Sequence, residues 1–179
     1  MEIDWSLDEH LRIRSLTPDD AAELFALVEA NREHLRPWMT WEPDTKGPGD
    51  VLAFIERSRA STHDLEANGL FLDGAIVGSA GLSVDPMNEQ AEIGYWLGDD
   101  HQGQGLITRA CTRFITWGFD ELGLGRISLL AAVENARSRA VAERLGMTQE
   151  GILRSAGKVA SGRLDLVAYS ILPSEWSER

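Results

Sequence analysis

Residues 95–108 constrain this chain more than any other stretch: Tyr95-Trp96-Leu97-Gly98-Asp99-Asp100-His101-Gln102-Gly103-Gln104-Gly105-Leu106-Ile107-Thr108. A strand-like run enters a loop with two glycines one residue apart. The loop then opens a helix whose Ile107, Ala110, Cys111, Phe114 and Ile115 share a face. Glycine lets backbone N–H groups crowd around a phosphate, and a helix N-terminus adds partial positive charge. Neither common phosphate motif fits. A dinucleotide fingerprint needs a third glycine where Thr108 stands, and a P-loop needs Gly-Lys-Ser/Thr after a four-residue gap. A plain glycine turn before a helix is the competing reading.

Around this segment the pattern alternates between the two secondary structures. Leu11–Arg14 alternates as a strand, and Thr17-Pro18-Asp19-Asp20 starts a helix carrying Ala21, Leu24, Phe25 and Val28 at helical spacing. The prolines of Arg36–Pro43 break it. Asp50 is expected to cap a second helix through Val51, Leu52, Phe54 and Ile55. A hairpin follows, Leu70–Leu72 and Ala75–Val84 around Asp73-Gly74, and then a strand from Glu89 to Leu97. After the glycine-loop helix come a strand at Arg126–Val133, a short helix capped by Asn135, and two strands within Gly151–Leu172. The order β-α-α-β-β-β-α-β-α-β-β makes one α/β domain over residues 1–179 with a mixed sheet.

Composition narrows the function classes. Residues 1–100 carry 21 Asp/Glu against 7 Lys/Arg, whereas residues 101–179 carry 8 against 10, for a net charge of −12. So acidic a chain repels phosphate backbones, which argues against nucleic acid as a partner. The asymmetry suits an anionic ligand on the C-terminal half and a cationic substrate near the N-terminal half, or it serves solubility alone. No apolar run reaches the ~20 residues of a membrane span, and Met1-Glu2-Ile3-Asp4-Trp5 does not read as a signal peptide. Cytoplasmic location is the expectation. Cys111 is the one cysteine, and His10, His34, His63 and His101 have no metal-ligand spacing, so no metal site is expected. Gly78-Ser79-Ala80-Gly81 lacks the spacing of a nucleophile elbow.

Gln102-Gly103-Gln104-Gly105-Leu106-Ile107 resembles the Gln/Arg-x-x-Gly-x-Gly/Ala loop of the GNAT acyltransferases, which holds the pyrophosphate of coenzyme A. Four segments resemble the ribosomal-protein serine/alanine branch, RimJ and RimL, and its YdaF-like bacterial members. They are Leu35–Trp41, Ala91–Leu97, Asn135–Ser138 and Arg144–Met147, and the likeness runs from about Leu11 to Trp176. It implies a GNAT fold: a mixed, mostly antiparallel sheet of about seven strands with four helices, splayed to admit acetyl-CoA. Two departures stand out. Ile107 occupies a position usually small, and Ala142 stands where many relatives carry a general-acid tyrosine.

The resemblance implies attack of a free amine on the acetyl-CoA thioester, with acetyl-CoA as cosubstrate. Glu92 is the candidate base, directly or through a water, or else a solvent-facing strand carboxylate; alternation puts it on one face with Gly94 and Trp96. Ser138 is the candidate proton donor to the sulfur, or else it bonds the helix end behind Asn135. Tyr95 and Leu97 are expected to pair with the cofactor through their backbones, and Asn135 to cap its helix beside the pantetheine. Gln102, Gly103, Gln104, Gly105, Leu106, Ile107 and Thr108 form the phosphate loop. Arg109, Arg139 and Arg144 either meet the adenosine phosphates or form surface ion pairs. Trp38 and Trp41 wall the acceptor pocket, or plug a sheet edge or subunit interface. The acceptor is an amine, either a protein N-terminus or a small molecule, and a homodimer follows by analogy. A non-catalytic acyl-CoA-binding protein is the rival from another class; the missing tyrosine favours it, and Glu92 and Ser138 oppose it.

Overall fold

The structure, a computed structural model, describes residues 2–177, with Ser177 in backbone only. Met1, the first residue of the acidic N-terminal stretch, and residues 178–179 lie outside the described residues. The chain runs β1 (Asp4–Ser6), β2 (Leu11–Ser15), α1 (Ala21–Ala30), α2 (Arg32–Leu35), α3 (Pro48–Ala60), β3 (Asp64–Leu65) and β4 (Asn68–Leu72). It continues with β5 (Ala75–Asp85), β6 (Gln90–Leu97), α4 (Leu106–Asp120), β7 (Arg126–Ala132), α5 (Ala136–Arg144), β8 (Thr148–Val159), β9 (Gly162–Ile171) and α6 (Pro173–Ser177). The strands form one sheet in the order β1-β2-β4-β5-β6-β7-β9-β8, with β3 beside β5. Every pairing is antiparallel except β6 with β7.

The elements beyond the expected seven strands and four helices are the short ones. β1, β3, α2 and α6 have three, two, four and five residues, too few to print a period on the sequence. The start of α3 needs a correction. Gly47 is its N-cap and Pro48 its first residue, while Asp50 lies inside the first turn and accepts N–H bonds from Lys46 (2.8 Å) and Gly47 (3.0 Å). Thr17 does precede the first helical turn, but its hydroxyl donates to Asp20 (2.9 Å). Two hydrogen bonds from the Arg14 guanidinium, at 2.7 and 2.8 Å, hold the Asp20 carboxyl down at about 2.

Two cores sandwich the sheet. Ala110, Cys111, Phe114 and Ile115 of α4 are fully buried, packed with Leu82, Ile127 and Ile171. Ile107 joins this cluster, as its place on the apolar stripe predicts. On the other face α1 and α3 bring Leu24, Val51 and Ile55 against Leu16, Phe71 and Ile76. Burying each such side chain stabilises by about 1.5–3 kcal/mol, so the first turn of α4 is held firmly against the sheet.

The sheet opens at its parallel pair. β6 and β7 pair only at Gln90–Arg126, Ala91–Ile127 and Glu92–Ser128. Beyond Glu92 the strands part, leaving the last five residues of β6 unpaired towards β7. This is the splay that the fold was expected to show.

Candidate active site

The split is floored by β6, whose residues point alternately to the two cores. Ala91, Ile93 and Leu97 are buried on the α4 side, whereas Glu92 and Gly94 keep solvent contact on the other. Cross-strand register sets Ser83, Glu92 and Ser128 in one row, with Gly81 opposite Gly94 in the next. A Cβ on Gly81 would lie 2.3 Å from the Leu65 carbonyl oxygen and 2.5 Å from Glu66 Cα. Only glycine therefore lets the 65–66 segment cross so closely, and that crossing brings Glu66 to the Glu92 face. A Cβ on Gly94 would meet nothing within 4 Å, so the space beside Glu92 is open.

Among the described residues no donor or cation pairs with Glu92. Burial alone pushes its carboxyl above the usual value. Glu66 is raised as well, first by burial and then by Asp64, with Glu92 adding to the effect. The nearby Glu150 shows the opposite case. It accepts two 2.6 Å bonds from Arg126 and one from Ser170 (2.8 Å), which hold it down at about 2.

The aromatic wall is built from the neighbouring loop. Trp41 lies against Trp96 of β6, with ring centroids 5.8 Å apart, on the same face as Glu92 and Gly94. Glu42, 1% exposed, fixes the loop. It accepts from Arg32 (2.9 Å) and Arg36 (3.4 Å), and Arg32 also donates to the Thr45 carbonyl (2.6 Å). Of the two expected tryptophans, Trp41 reaches the β6 face. Trp38 is half-buried and has no ring against it among the described residues.

Across the split, Asn135 caps α5 by accepting the Ser138 N–H at 3.1 Å. That leaves the Ser138 hydroxyl free of the cap, and it meets the Tyr95 hydroxyl at 2.8 Å. Tyr95 was singled out for its backbone; its side chain proves equally placed, joining one wall to the other. Burial is the main cause that raises the Tyr95 hydroxyl, so it stays protonated and able to donate. Alternation could have shown that Tyr95 faces away from Glu92, but not that it reaches α5.

The glycine loop has the shape that phosphate binding needs. Gly103 and Gly105 both have φ of +74°, and at both a Cβ would point into open space. Gly105 caps α4, whose ladder begins with the Arg109 N–H donating to the Gly105 carbonyl at 3.0 Å. The N–H groups of Leu106, Ile107 and Thr108 thus lack a carbonyl within the helix and face outward as donors. Gln102 donates its amide to His34 (2.5 Å) and accepts from Arg137. Gln104 Nε2 stands 3.5 Å from the Asp100 carbonyl.

The arginines divide among different partners. Arg109 is tied to Asp8 (2.5 Å), and Arg139 donates to Tyr169 (3.1 Å) and the Val133 carbonyl (3.2 Å), bracing α5 on the sheet. Arg139 therefore has a structural use on α5. Arg144 donates to Thr108 Oγ1 at 3.3 Å, close to the first turn of α4. Arg137 was passed over, although its place two residues after Asn135 was the signal. No cluster of three or more metal-ligating side chains occurs, and no helix is long and apolar enough to cross a membrane, among the described residues.

The sequence pattern of the family described as acetyltransferase (GNAT) domain matches residues 10–148. The chain belongs to the GNAT acetyltransferases. It is 39% identical over 175 residues to YdaF of Bacillus subtilis (strain 168), whose name provisionally assigns it as a ribosomal N-acetyltransferase; the match covers 95% of each chain. It is 27% identical to the ribosomal-protein-serine acetyltransferase of Escherichia coli (strain K12), over 84% of this chain and 86% of the other. A solved structure of the microcin C7 self-immunity acetyltransferase MccE, in complex with acetyl-CoA and AMP, superposes with a TM-score of 0.84. The identity there is 26%, covering 93% of this chain and 94% of that one. An open, mostly antiparallel sheet with α4 behind a glycine loop is the architecture of this family.

Proposed function

We propose that this N-acetyltransferase acts on the α-amino group of a protein N-terminus, with acetyl-CoA as donor, and that its whole length works as one domain. Glu92 carries the reading: a carboxylate with no partner among the described residues, raised by burial, beside the open space at Gly94. Acetyl-CoA supplies an activated thioester, and the chain must provide a neutral amine and a proton for the departing sulfur. Glu92 takes the amine proton, directly or through one water. Ser138 gives a proton towards the sulfur and recovers one through the Tyr95 hydroxyl hydrogen-bonded to it, which takes a proton from solvent, so both hydroxyls end neutral. This pair stands in for the tyrosine absent at Ala142. The left-handed Gly103 and Gly105 leave room for a diphosphate at the outward N–H groups of α4.

The relatives that act on ribosomal proteins support a protein acceptor, and the acidic N-terminal half suits a basic one. The same reading keeps the enzyme cytoplasmic and homodimeric, the second being testable by light scattering. One observation favours a small aromatic amine instead: Trp41 and Trp96 offer an indole face on the Glu92 side of β6. Labelled acetyl-CoA with paired peptides, N-terminus free or blocked and lysines retained, decides the first question. Label on the free N-terminus alone is expected, and label on lysines or on neither peptide would overturn the α-amine assignment.

A further inference from the structure

Arg137 rises from the α5 wall of the split, yet its guanidinium reaches across to the loop that follows β6. It donates to Gln102 Oε1 and lies 3.5 Å from Asp99 Oδ1. These contacts cross the mouth of the split outside the Tyr95–Ser138 hydrogen bond. The ion pair with Asp99 is also weakly held: the Arg137 side chain is 76% exposed and that of Asp99 61% exposed. An exposed ion pair of that length contributes little in water. The other half of the bond network ties the loop to α2, through His34 to Gln102 and through Asn31 Oδ1, which accepts the Asp99 N–H at 2.8 Å. The loop would therefore stay in place if Arg137 let go.

We propose that Arg137 is a phosphate strap, which leaves Gln102 and Asp99 and closes over the diphosphate of bound acetyl-CoA. The inference rests on the cofactor assignment above. The outward N–H groups of α4 and the open space at Gly103 and Gly105 put the diphosphate on the same loop as Gln102. A neutral amide is a poorer partner for a guanidinium than a phosphate, which accepts its forked donors in pairs. Arg109 and Arg139 are committed to Asp8 and to Tyr169, and Arg144 donates to Thr108 Oγ1 on α4 itself; of these four, Arg137 is the one whose bonds cross the mouth to the loop after β6. Asp99 then holds the strap in reserve and competes with the cofactor for it.

Acetyl-CoA binding to Arg137→Ala and Arg137→Lys, measured by calorimetry, tests the strap. S-acetylpantetheine, which lacks the diphosphate, is followed in parallel by ligand-observed NMR. Arg137→Ala should weaken acetyl-CoA by about tenfold or more, with part recovered in the lysine variant and S-acetylpantetheine changed by less than about twofold. Asp99→Asn should tighten acetyl-CoA by about two- to threefold, and only while Arg137 is present. An unchanged affinity in Arg137→Ala overturns the proposal, as does an equal loss for both ligands, which would make Arg137 a brace for the split. Failure of the wild-type protein to bind acetyl-CoA would overturn the cofactor assignment itself, a result distinct from either.

Discussion

The loop between α2 and α3 and the open face of β6 each crowd a carboxylate with protein, Glu42 wholly and the solvent-touching Glu92 in part, and they answer that cost in opposite ways. Burial would raise Glu42, but hydrogen bonds from Arg32 and Arg36 outweigh it and hold its carboxyl below the usual range. Glu92 meets no donor among the described residues, and burial raises it unopposed. The paired carboxylate pins backbone: Arg32, held on Glu42, also grips the Thr45 carbonyl, so the loop bearing Trp41 stays against Trp96. The unpaired one keeps its lone pairs for something from outside. A partner decides which of two acids is a fastener and which a reagent.

Exchanging each acid for its amide is the most direct way to break that comparison. Glu92→Gln should lower turnover roughly 10²–10⁴-fold with acetyl-CoA affinity nearly unchanged, because the loss is confined to proton transfer. The deficit should shrink at high pH, where the amine deprotonates without help. An unchanged rate at neutral pH would remove Glu92 from the mechanism and leave the β6 face with no reagent to contrast with Glu42.

The tryptophans sharpen what the pinned loop is for. Trp41→Ala removes the indole that faces Trp96. If the acceptor carries an aromatic ring, kcat/KM should fall about 5- to 150-fold, the worth of one stacked ring. A protein N-terminus, which spreads its contacts, should lose less and depend more on salt. Trp38→Ala should matter less than Trp41→Ala in either case. Equal losses from both, measured with one acceptor, would mean that contact with Trp96 does not select the acceptor-facing indole.

Much of this site was readable from the chain, for reasons that residue types make plain. Glycine at 103 and 105 suits the left-handed backbone found there, and Asn135 followed by a helix announced its cap. Period two along β6 put Glu92, Gly94 and Trp96 on one face without any structure. What stayed hidden depends on contacts far apart in sequence. Tyr95 reaches Ser138 across 43 positions, Gln102 reaches His34 across 68, and Glu66 nears Glu92 only because Gly81 allows a close crossing. Arg139 and Arg144 were indistinguishable as cations until the fold gave Arg139 to Tyr169 and Arg144 to Thr108. β1 and β3 are held by register with longer neighbours, which no local pattern encodes.

Stability gives a second measure of the same contrast, independent of any substrate. Glu42→Gln should cost about 1–3 kcal/mol at neutral pH, since Arg32 and Arg36 lose a charged acceptor. A carboxyl held below its unfolded value stabilises the fold above that value, and the gain is lost as pH falls through the lowered one. The wild-type advantage over Glu42→Gln should therefore fade in acid, as followed by Tm against pH.

The smallest expected effect has the opposite sign. Glu66 and Glu92 are both raised in the fold, Glu66 by burial first and then by Asp64 and Glu92. A carboxyl raised on folding costs stability once pH exceeds its unfolded value, and the cost disappears in acid, where both states are protonated. Glu66→Gln and Glu92→Gln should thus each raise Tm slightly at pH 7, and the gain should vanish as pH is lowered towards 4. Because Glu92 adds to the burden on Glu66, the double variant should gain less than the two single gains together. Such stabilisation on loss of activity is what a site held open at the expense of stability would show. A fall in Tm at pH 7 for Glu92→Gln would mean that the carboxylate has a stabilising partner in solution. It would then be a fastener like Glu42, and the contrast between the two regions would be gone.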